Sequence, residues 1–323
     1  MTATRGPRGS GAGQPRVVVV GEALMDVVHR ADGDSSEVPG GSPANVALTL
    51  GRLGRDVELV TSLGADERGA TIRRWLEASA VTVVAGPADG PTSTATAVLD
   101  AAGSATYAFD IRWEPTEAAV SGASVVHTGS IAAVLAPGAD AVEASFVRSR
   151  ETSTLTFDPN ARPSIVPDRG DALARVERLV ALSDVVKVSD EDLAWFHPGA
   201  DPLDVADAWL ASGPAVVVVT AGADGVTALT AGGALHVPAV PVNVVDTVGA
   251  GDTFMGALID GLIELDLVGA ERRDGLRAIR PEELESVLRR CARAAAITVS
   301  RAGADPPDRA ALDAVTDTAA NLG

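Results

Sequence analysis

The stretch Val245–Leu265, VDTVGAGDTFMGALIDGLIEL, decides how the rest of the chain is read. It opens on an apolar strand end, passes through the small-residue turn Asp246-Thr247-Val248-Gly249-Ala250-Gly251-Asp252 and enters a helical pattern. Phe254, Leu258, Leu262 and Leu265 recur every three or four residues, and Asp252, Gly256, Asp260 and Glu264 recur on another line. That spacing predicts a strand, a tight turn and an amphipathic helix. Gly249, Ala250 and Gly251 carry almost no side chain, so an oxyanion can approach the free N–H groups of the helix N-terminus, where the macrodipole also favours negative charge. A carboxylate in the same turn would repel a phosphate that merely rested there. It fits a turn in which Asp252 takes the proton of a hydroxyl as that hydroxyl attacks a phosphoryl group. The plainer reading is an acidic first turn capping a helix.

Other phosphate-binding patterns do not fit. A dinucleotide fingerprint sits early in a chain with G-x-G-x-x-G spacing, and the Walker pattern needs a Lys-Ser/Thr pair; this turn has neither. Composition narrows the field further. The 323 residues, 46% of them hydrophobic, suffice for one large α/β domain or two modest ones. A formal net charge of −18 argues against nucleic acid or an anionic membrane as partner. The single cysteine, Cys291, precludes an intrachain disulfide and fits a reducing compartment. With no apolar run near the ~18 residues of a membrane span and no signal-peptide pattern, a cytoplasmic protein is expected.

Residues 1–15 are rich in Gly, Pro, Ser and Arg and read as a disordered tail. From Arg16 onward strands and helices alternate. Strands are expected at Arg16–Val20, Val57–Leu63, Ser124–His127, Leu155–Phe157, Val185–Val188 and Ala215–Thr220. Helices are expected from near Ser42, up to about Ser79, at Asp171–Leu182, at Leu203–Ser212 and at Pro281–Val299. Thr92–Asp110 breaks the alternation, with two short strands around Asp100-Ala101-Ala102-Gly103-Ser104 reading as a hairpin outside the main sheet. With residues of about 22–39 it predicts a small β lid over a cleft, its range about 91–113 on the second side. Val226–Thr230 and Ala234–Val245 predict a second hairpin.

The turn DTVGAGDTF resembles the C-terminal signature of the ribokinase-like (PfkB) carbohydrate kinases, and Gly40-Gly41-Ser42-Pro43-Ala44-Asn45 resembles their N-terminal signature. The resemblance runs from Arg16 to about Pro307 and implies the ribokinase-like α/β fold: a central, mainly parallel sheet, helices on both faces and a small β-sheet lid. It implies ATP-dependent transfer of the γ-phosphoryl group to a sugar primary hydroxyl. Asp252 would be the base and the Gly249, Ala250 and Gly251 amides the anion hole. Asp26, in the family's strand-Gly-Glu-x-x-x-Asp pattern, and Asn45 would bind sugar hydroxyls, with Gly40 and Gly41 as a switch that closes the lid.

Asp158-Pro159-Asn160-Ala161-Arg162 resembles the D-P-N-x-R segment of fructokinase-like and 2-keto-3-deoxygluconate-kinase-like members, which makes Arg162 a sugar or phosphoryl contact; Arg112 is a second candidate from the lid. The family's N-x-x-E segment, which orders magnesium and phosphates, is replaced here by Ser189 and Asp192 after Lys187, with Glu191 the alternative carboxylate. Thr220, Gly222 and Gly225 match its T-x-G-x-x-G loop, which implies contact with the nucleotide phosphates. Ala294–Ala296 and Ser300–Ala304 resemble the segment flanking adenine and a K⁺ site that Asp246 would complete. Gly64-x-Asp66-x-x-Gly69 reads as structural. Fructose is the expected substrate. The alternatives are a 2-keto-3-deoxygluconate kinase, a ribokinase, or a non-catalytic sugar-binding regulator on the same scaffold. A homodimer through the lid's outer face stays open.

Overall fold

The computed structural model describes residues 14–30, 32–87, 90–99, 105–115, 120–166 and 168–320. Most of the expected tail and the Asp100–Ser104 turn therefore lie outside the described residues. In chain order the elements are β1 (Arg16–Val20), β2 (Leu24–His29), β3 (Ser35–Gly40), α1 (Ser42–Arg52), β4 (Asp56–Leu63), α2 (Glu67–Glu77), β5 (Val81–Pro87), β6 (Thr94–Leu99) and β7 (Ala105–Asp110). Then follow β8 (Val125–Gly129), α3 (Ser130–Val134), α4 (Gly138–Ser149), β9 (Thr154–Asp158), α5 (Arg169–Leu182), β10 (Val185–Ser189), α6 (Asp190–Phe196), α7 (Pro202–Ser212) and β11 (Val216–Thr220). The chain ends with β12 (Val226–Thr230), β13 (Gly233–Val237), α8 (Ala250–Glu264), α9 (Arg273–Arg277), α10 (Pro281–Val299) and α11 (Arg309–Ala320).

Nine strands form the main sheet in the order β13-β12-β11-β10-β9-β8-β1-β4-β5. It is parallel except where β12 and β13 fold back at one edge. Valine runs such as Arg16–Val20 suit such a sheet because both faces are covered. Val17 and Val19 pack into one core with α1, α8 and α10, while Val18 and Val20 pack into the other with α4, α5 and α7. Strand order reverses between β1 and β8, the place where open α/β sheets leave a crevice at the strands' carboxyl ends. A separate four-stranded sheet, ordered β3-β2-β6-β7, takes the chain out of the main sheet twice.

Two sequence expectations need correction around α8. No strand leads into it: β13 stops at Val237, so the second hairpin is shorter than Ala234–Val245. Pro238 and Pro241 lack the N–H groups that a ladder needs. Instead, the Val245 N–H donates to the Val299 carbonyl oxygen at 2.8 Å, laying the segment along α10. Nor is α8 amphipathic over most of its length, because every residue from Asp252 to Ile263 is buried, Asp252, Gly256 and Asp260 of the polar line included, and only Glu264 of that line is exposed. Gly256 on that line lets α1 approach: a Cβ there would stand 2.7 Å from the Cβ of Thr49.

Candidate active site

Asp252 occupies the first turn of α8 and is 5% exposed. Its Oδ1 accepts from Ser42 Oγ at 2.6 Å and from Asn160 Nδ2 at 3.1 Å, and its Oδ2 accepts from Asn45 Nδ2 at 2.8 Å. Ser42 and Asn45 lie three residues apart on α1 and so share a face. Asn160 comes from the loop after β9. Three donors from two separate elements thus converge on one carboxylate, and every donor is neutral. Ser42 and Asn160 were not singled out by sequence. The sequence signal for Ser42 is its three-residue spacing from Asn45, and for Asn160 its place beside Arg162 in Asp158-Pro159-Asn160-Ala161-Arg162.

Gly249 is the N-cap of α8 at φ +74°, a left-handed conformation that favours glycine, and a Cβ there would stand 2.6 Å from that of Ala304. Of the turn's amides, that of Ala250 leans back onto the Thr247 carbonyl oxygen at 3.3 Å. Asp246 fastens the turn: its Oδ1 accepts from the Val248 N–H (3.0 Å) and its Oδ2 from the Gly303 N–H (2.9 Å). The 301–304 segment is thereby joined to the loop that carries the glycines.

Beneath the turn, Lys187 on β10 and Asp158 at the end of β9 form an ion pair of 2.9 Å, with side chains 4% and 0% exposed. A Cβ on Gly251 would stand 2.9 Å from Lys187 Nζ, so the ammonium lies under the helix N-terminus. Burial works against that charge, yet the carboxylates of Asp158, Asp192 and Asp252 outweigh it and hold the lysine above its ordinary range. Burial pushes Asp158 up to about 6 in spite of Lys187, and its Oδ1 has no hydrogen-bond partner. A cation parked against the positive end of a helix is unfavourable alone and favourable once an anion lies between them. Next to Lys187, His127 is fully buried; burial lowers it to about 3, and its Nδ1 lies 3.0 Å from Thr156 Oγ1.

Asp192 Oδ1 accepts from the Ala161 N–H at 3.0 Å and Ser189 Oγ accepts from the Asp192 N–H at 3.0 Å. These two residues brace the 158–162 loop against α6. Arg162 Nη1 donates to Asn160 Oδ1 at 2.6 Å and to the Ala161 carbonyl oxygen at 3.0 Å. Asp26 lies on β2, where burial lifts it to about 6 against the pull of Arg162. Its carboxylate fills the space a Gly40 side chain would need. Arg112 stands apart, exposed, with its guanidinium over Gly90 and 3.7 Å from Asp110. Glu22, unremarked in the sequence, is 3% exposed and accepts from the Ala132 N–H at 3.0 Å; burial pushes it to about 7. Asp66 holds the Gly69 N–H and Thr92 together, a structural fastener.

Beyond the glycine turn opens a cavity of about 600 Å³ lined by Thr220, Gly222, Gly225, Ala250 and Gly251, with an apolar wall that includes Ala295 and Ala296. Its size is that of a small-molecule site. Among the described residues, no group of three or more His, Cys, Asp or Glu side chains could hold a metal ion.

A buried carboxylate whose hydrogen-bond donors among the described residues are all neutral, set beside a glycine turn and a lysine at a helix N-terminus, defines a class: a phosphotransferase with an alcohol as acceptor. The family profile of the pfkB family carbohydrate kinases matches residues 14–311, and the chain belongs to that family. It is 34% identical over 258 residues to a fructokinase of Rhizobium leguminosarum bv. trifolii, covering 76% of this chain and 79% of the relative. A Klebsiella pneumoniae fructokinase is 33% identical over 279 residues, 83% and 89% of the two chains. The crystal structure of a Xylella fastidiosa fructokinase with bound ATP superposes with a TM-score of 0.85 at 26% identity, over 95% of this chain and 99% of that one. A Thermotoga maritima ribokinase shares the fold, with a TM-score of 0.70 over 94% and 99%. No helix among the described residues is long and apolar enough to cross a membrane.

Proposed function

We propose that this carbohydrate kinase transfers the γ-phosphoryl group of ATP to a primary hydroxyl of a sugar, with fructose as the preferred acceptor. The observation that carries the reading is the placement of Asp252 between neutral donors on one side and the glycine turn on the other. Asp252 accepts the hydroxyl proton as the sugar oxygen bonds to phosphorus, and the Gly249–Gly251 turn with Lys187 holds the phosphate oxygens. Asn45, whose buried Oδ1 has no partner, and Asp26 hold further sugar hydroxyls, and Arg162 supplies the cationic contact. Arg112 approaches from the small sheet, which acts as a lid that shuts water out when Gly40 and Gly41 let it close.

ATP enters the 600 Å³ cavity, its phosphates toward Gly251, Thr220, Gly222 and Gly225 and its base against the α10 alanines. The Xylella fastidiosa relative with bound ATP supports that assignment. Magnesium fits as a hydrated ion carried on the phosphates, since the described residues offer no ligand cage of their own. The unpartnered Asp158 Oδ1, with Asp192, suits contact through water. When bound, it neutralises charge on the transferring group. A monovalent cation fits between the loops that Asp246 ties together, where backbone carbonyls are the ligands.

The test is ADP release with Mg-ATP and K⁺ against D-fructose, D-ribose, 2-keto-3-deoxygluconate and adenosine. Preference for fructose supports the reading, and preference for the keto-acid keeps the mechanism but changes the substrate. Sugar binding without turnover on any of them favours a non-catalytic regulator.

A further inference from the structure

The two oxygens of Asp252 are not equivalent. Oδ1 receives two donors, Ser42 Oγ and Asn160 Nδ2, which occupy both of its lone pairs. Oδ2 receives one, Asn45 Nδ2, and keeps a lone pair. Asn160 Nδ2 also donates to Ser42 Oγ at 2.7 Å, closing a circuit of serine, asparagine and carboxylate. The other end of the same amide, Asn160 Oδ1, accepts from Arg162 at 2.6 Å. Chemistry fixes the amide's orientation: reversed, it would turn its oxygen to a carboxylate and its NH₂ to a guanidinium. Asn160 sits at φ +37°, a region that most side chains avoid and that asparagine tolerates best after glycine. Strain at a residue whose side chain joins two reactive groups is the pattern expected of a functional position.

We propose that Asn160 is a positioning residue that couples Arg162 to Asp252. With Ser42 it holds Oδ1, so that Oδ2 is the oxygen that takes the proton: the sugar O–H bond breaks, the proton passes to Oδ2, and the sugar oxygen bonds to phosphorus as the bond to ADP breaks. The unpartnered Asn45 Oδ1, on the amide that donates to Oδ2, is placed to orient the same hydroxyl. The inference rests on the kinase reading above.

The experiment compares steady-state kinetics of the full chain with Asn160→Gly, Asn160→Asp and Ser42→Ala. Glycine removes the side chain at a positive φ without backbone cost. Aspartate keeps an acceptor for Arg162 and loses the donor to Asp252. Asn160→Gly and Ser42→Ala are expected to lower kcat roughly 10- to 100-fold, as small misplacements of a reacting group do, with KM for ATP held within about twofold. Asn160→Asp should fall at least as far, and the Ser42→Ala/Asn160→Gly double variant little further than the worse single one, because the two act as a unit. Unchanged kcat, or a loss confined to KM for ATP or to melting temperature, overturns the proposal. A second readout needs no turnover: the ¹⁵N–¹H pair of the Asn160 amide, assigned by its loss in Asn160→Gly, should shift in both Asp252→Asn and Arg162→Ala. A pair unmoved by either also overturns it. Wild type inactive on every sugar, with the amide shifts present, instead counts against the kinase reading and leaves the coupling standing.

Discussion

Helix α8 buries two aspartates two turns apart, and they have opposite company. Asp260 is 0% exposed and surrounded by guanidinium groups: Arg55 at 2.5 Å, Arg309 at 2.5 Å and Arg290 at 3.6 Å. Asp252 is nearly as buried, and its hydrogen-bond donors among the described residues are a serine and two asparagines. These arginines fasten α8 to α10, to α11 and to the segment between α1 and β4. Neutral donors fix the geometry and leave the charge to act. One helix therefore carries two buried acids in opposite company, and on the proposed function the first is reactive and the second structural.

The sharpest way to break this contrast is to neutralise each acid in turn. Asp252→Asn should lower kcat about 10³-fold while the melting temperature stays near wild type, measured by initial rates and thermal unfolding together. Near-normal turnover would remove Asp252 from its role. Asp260→Asn leaves several guanidiniums around a neutral group and should cost about 3–5 kcal/mol of stability, read as a lower urea midpoint. The protein that remains folded should keep its kcat within about threefold. A large loss of turnover there would mean that the two acids are not separable.

Glu22 extends the contrast to a third buried acid at the cleft, one held by a backbone N–H. Its folded value near 7 exceeds its ordinary 4.5, so the folded state holds a proton that the unfolded chain releases between those limits. The stabilisation is complete below about 4.5 and is lost as pH rises through 7. Asp26 and Asp158, both near 6, act in the same direction. Glu22→Gln should flatten the decline and gain roughly 1–3 kcal/mol at pH 8, seen as converging melting curves at pH 5 and pH 8. The smallest expected effect is Gly249→Ala, about 1–2 kcal/mol from φ alone, with a raised KM for ATP if the turn shifts off Ala304. A stable variant with normal KM would show that the turn has slack.

The sequence carried the main sheet because a valine run between polar turns can be satisfied in few ways, and β1 and β11 fall where Arg16–Val20 and Ala215–Thr220 predict. It carried the small-residue turn into α8, with Asp252 in the first turn of that helix, because three small residues before a helical pattern have few other geometries. It misled at Val242–Val245, where β-branched residues suggested a strand and two prolines prevented one. Ser42 and Asn160 escaped notice because their meaning lies in contacts 210 and 92 residues away in the chain. The partners of Asp260 were illegible for the same reason: Arg55 and Arg309 approach it from opposite ends of the sequence.

The small sheet leaves the main body by two excursions, β2–β3 and β6–β7, and these pair with each other through β2 and β6. Four strands of one hydrogen-bonded plate are thus anchored at four covalent roots, two of them beside Glu22 and Ser42. Such a plate behaves as a lever, not a flap: no strand can swing without carrying the other three. A force applied at its far edge is delivered at the roots, within a few residues of the groups that hold Asp252.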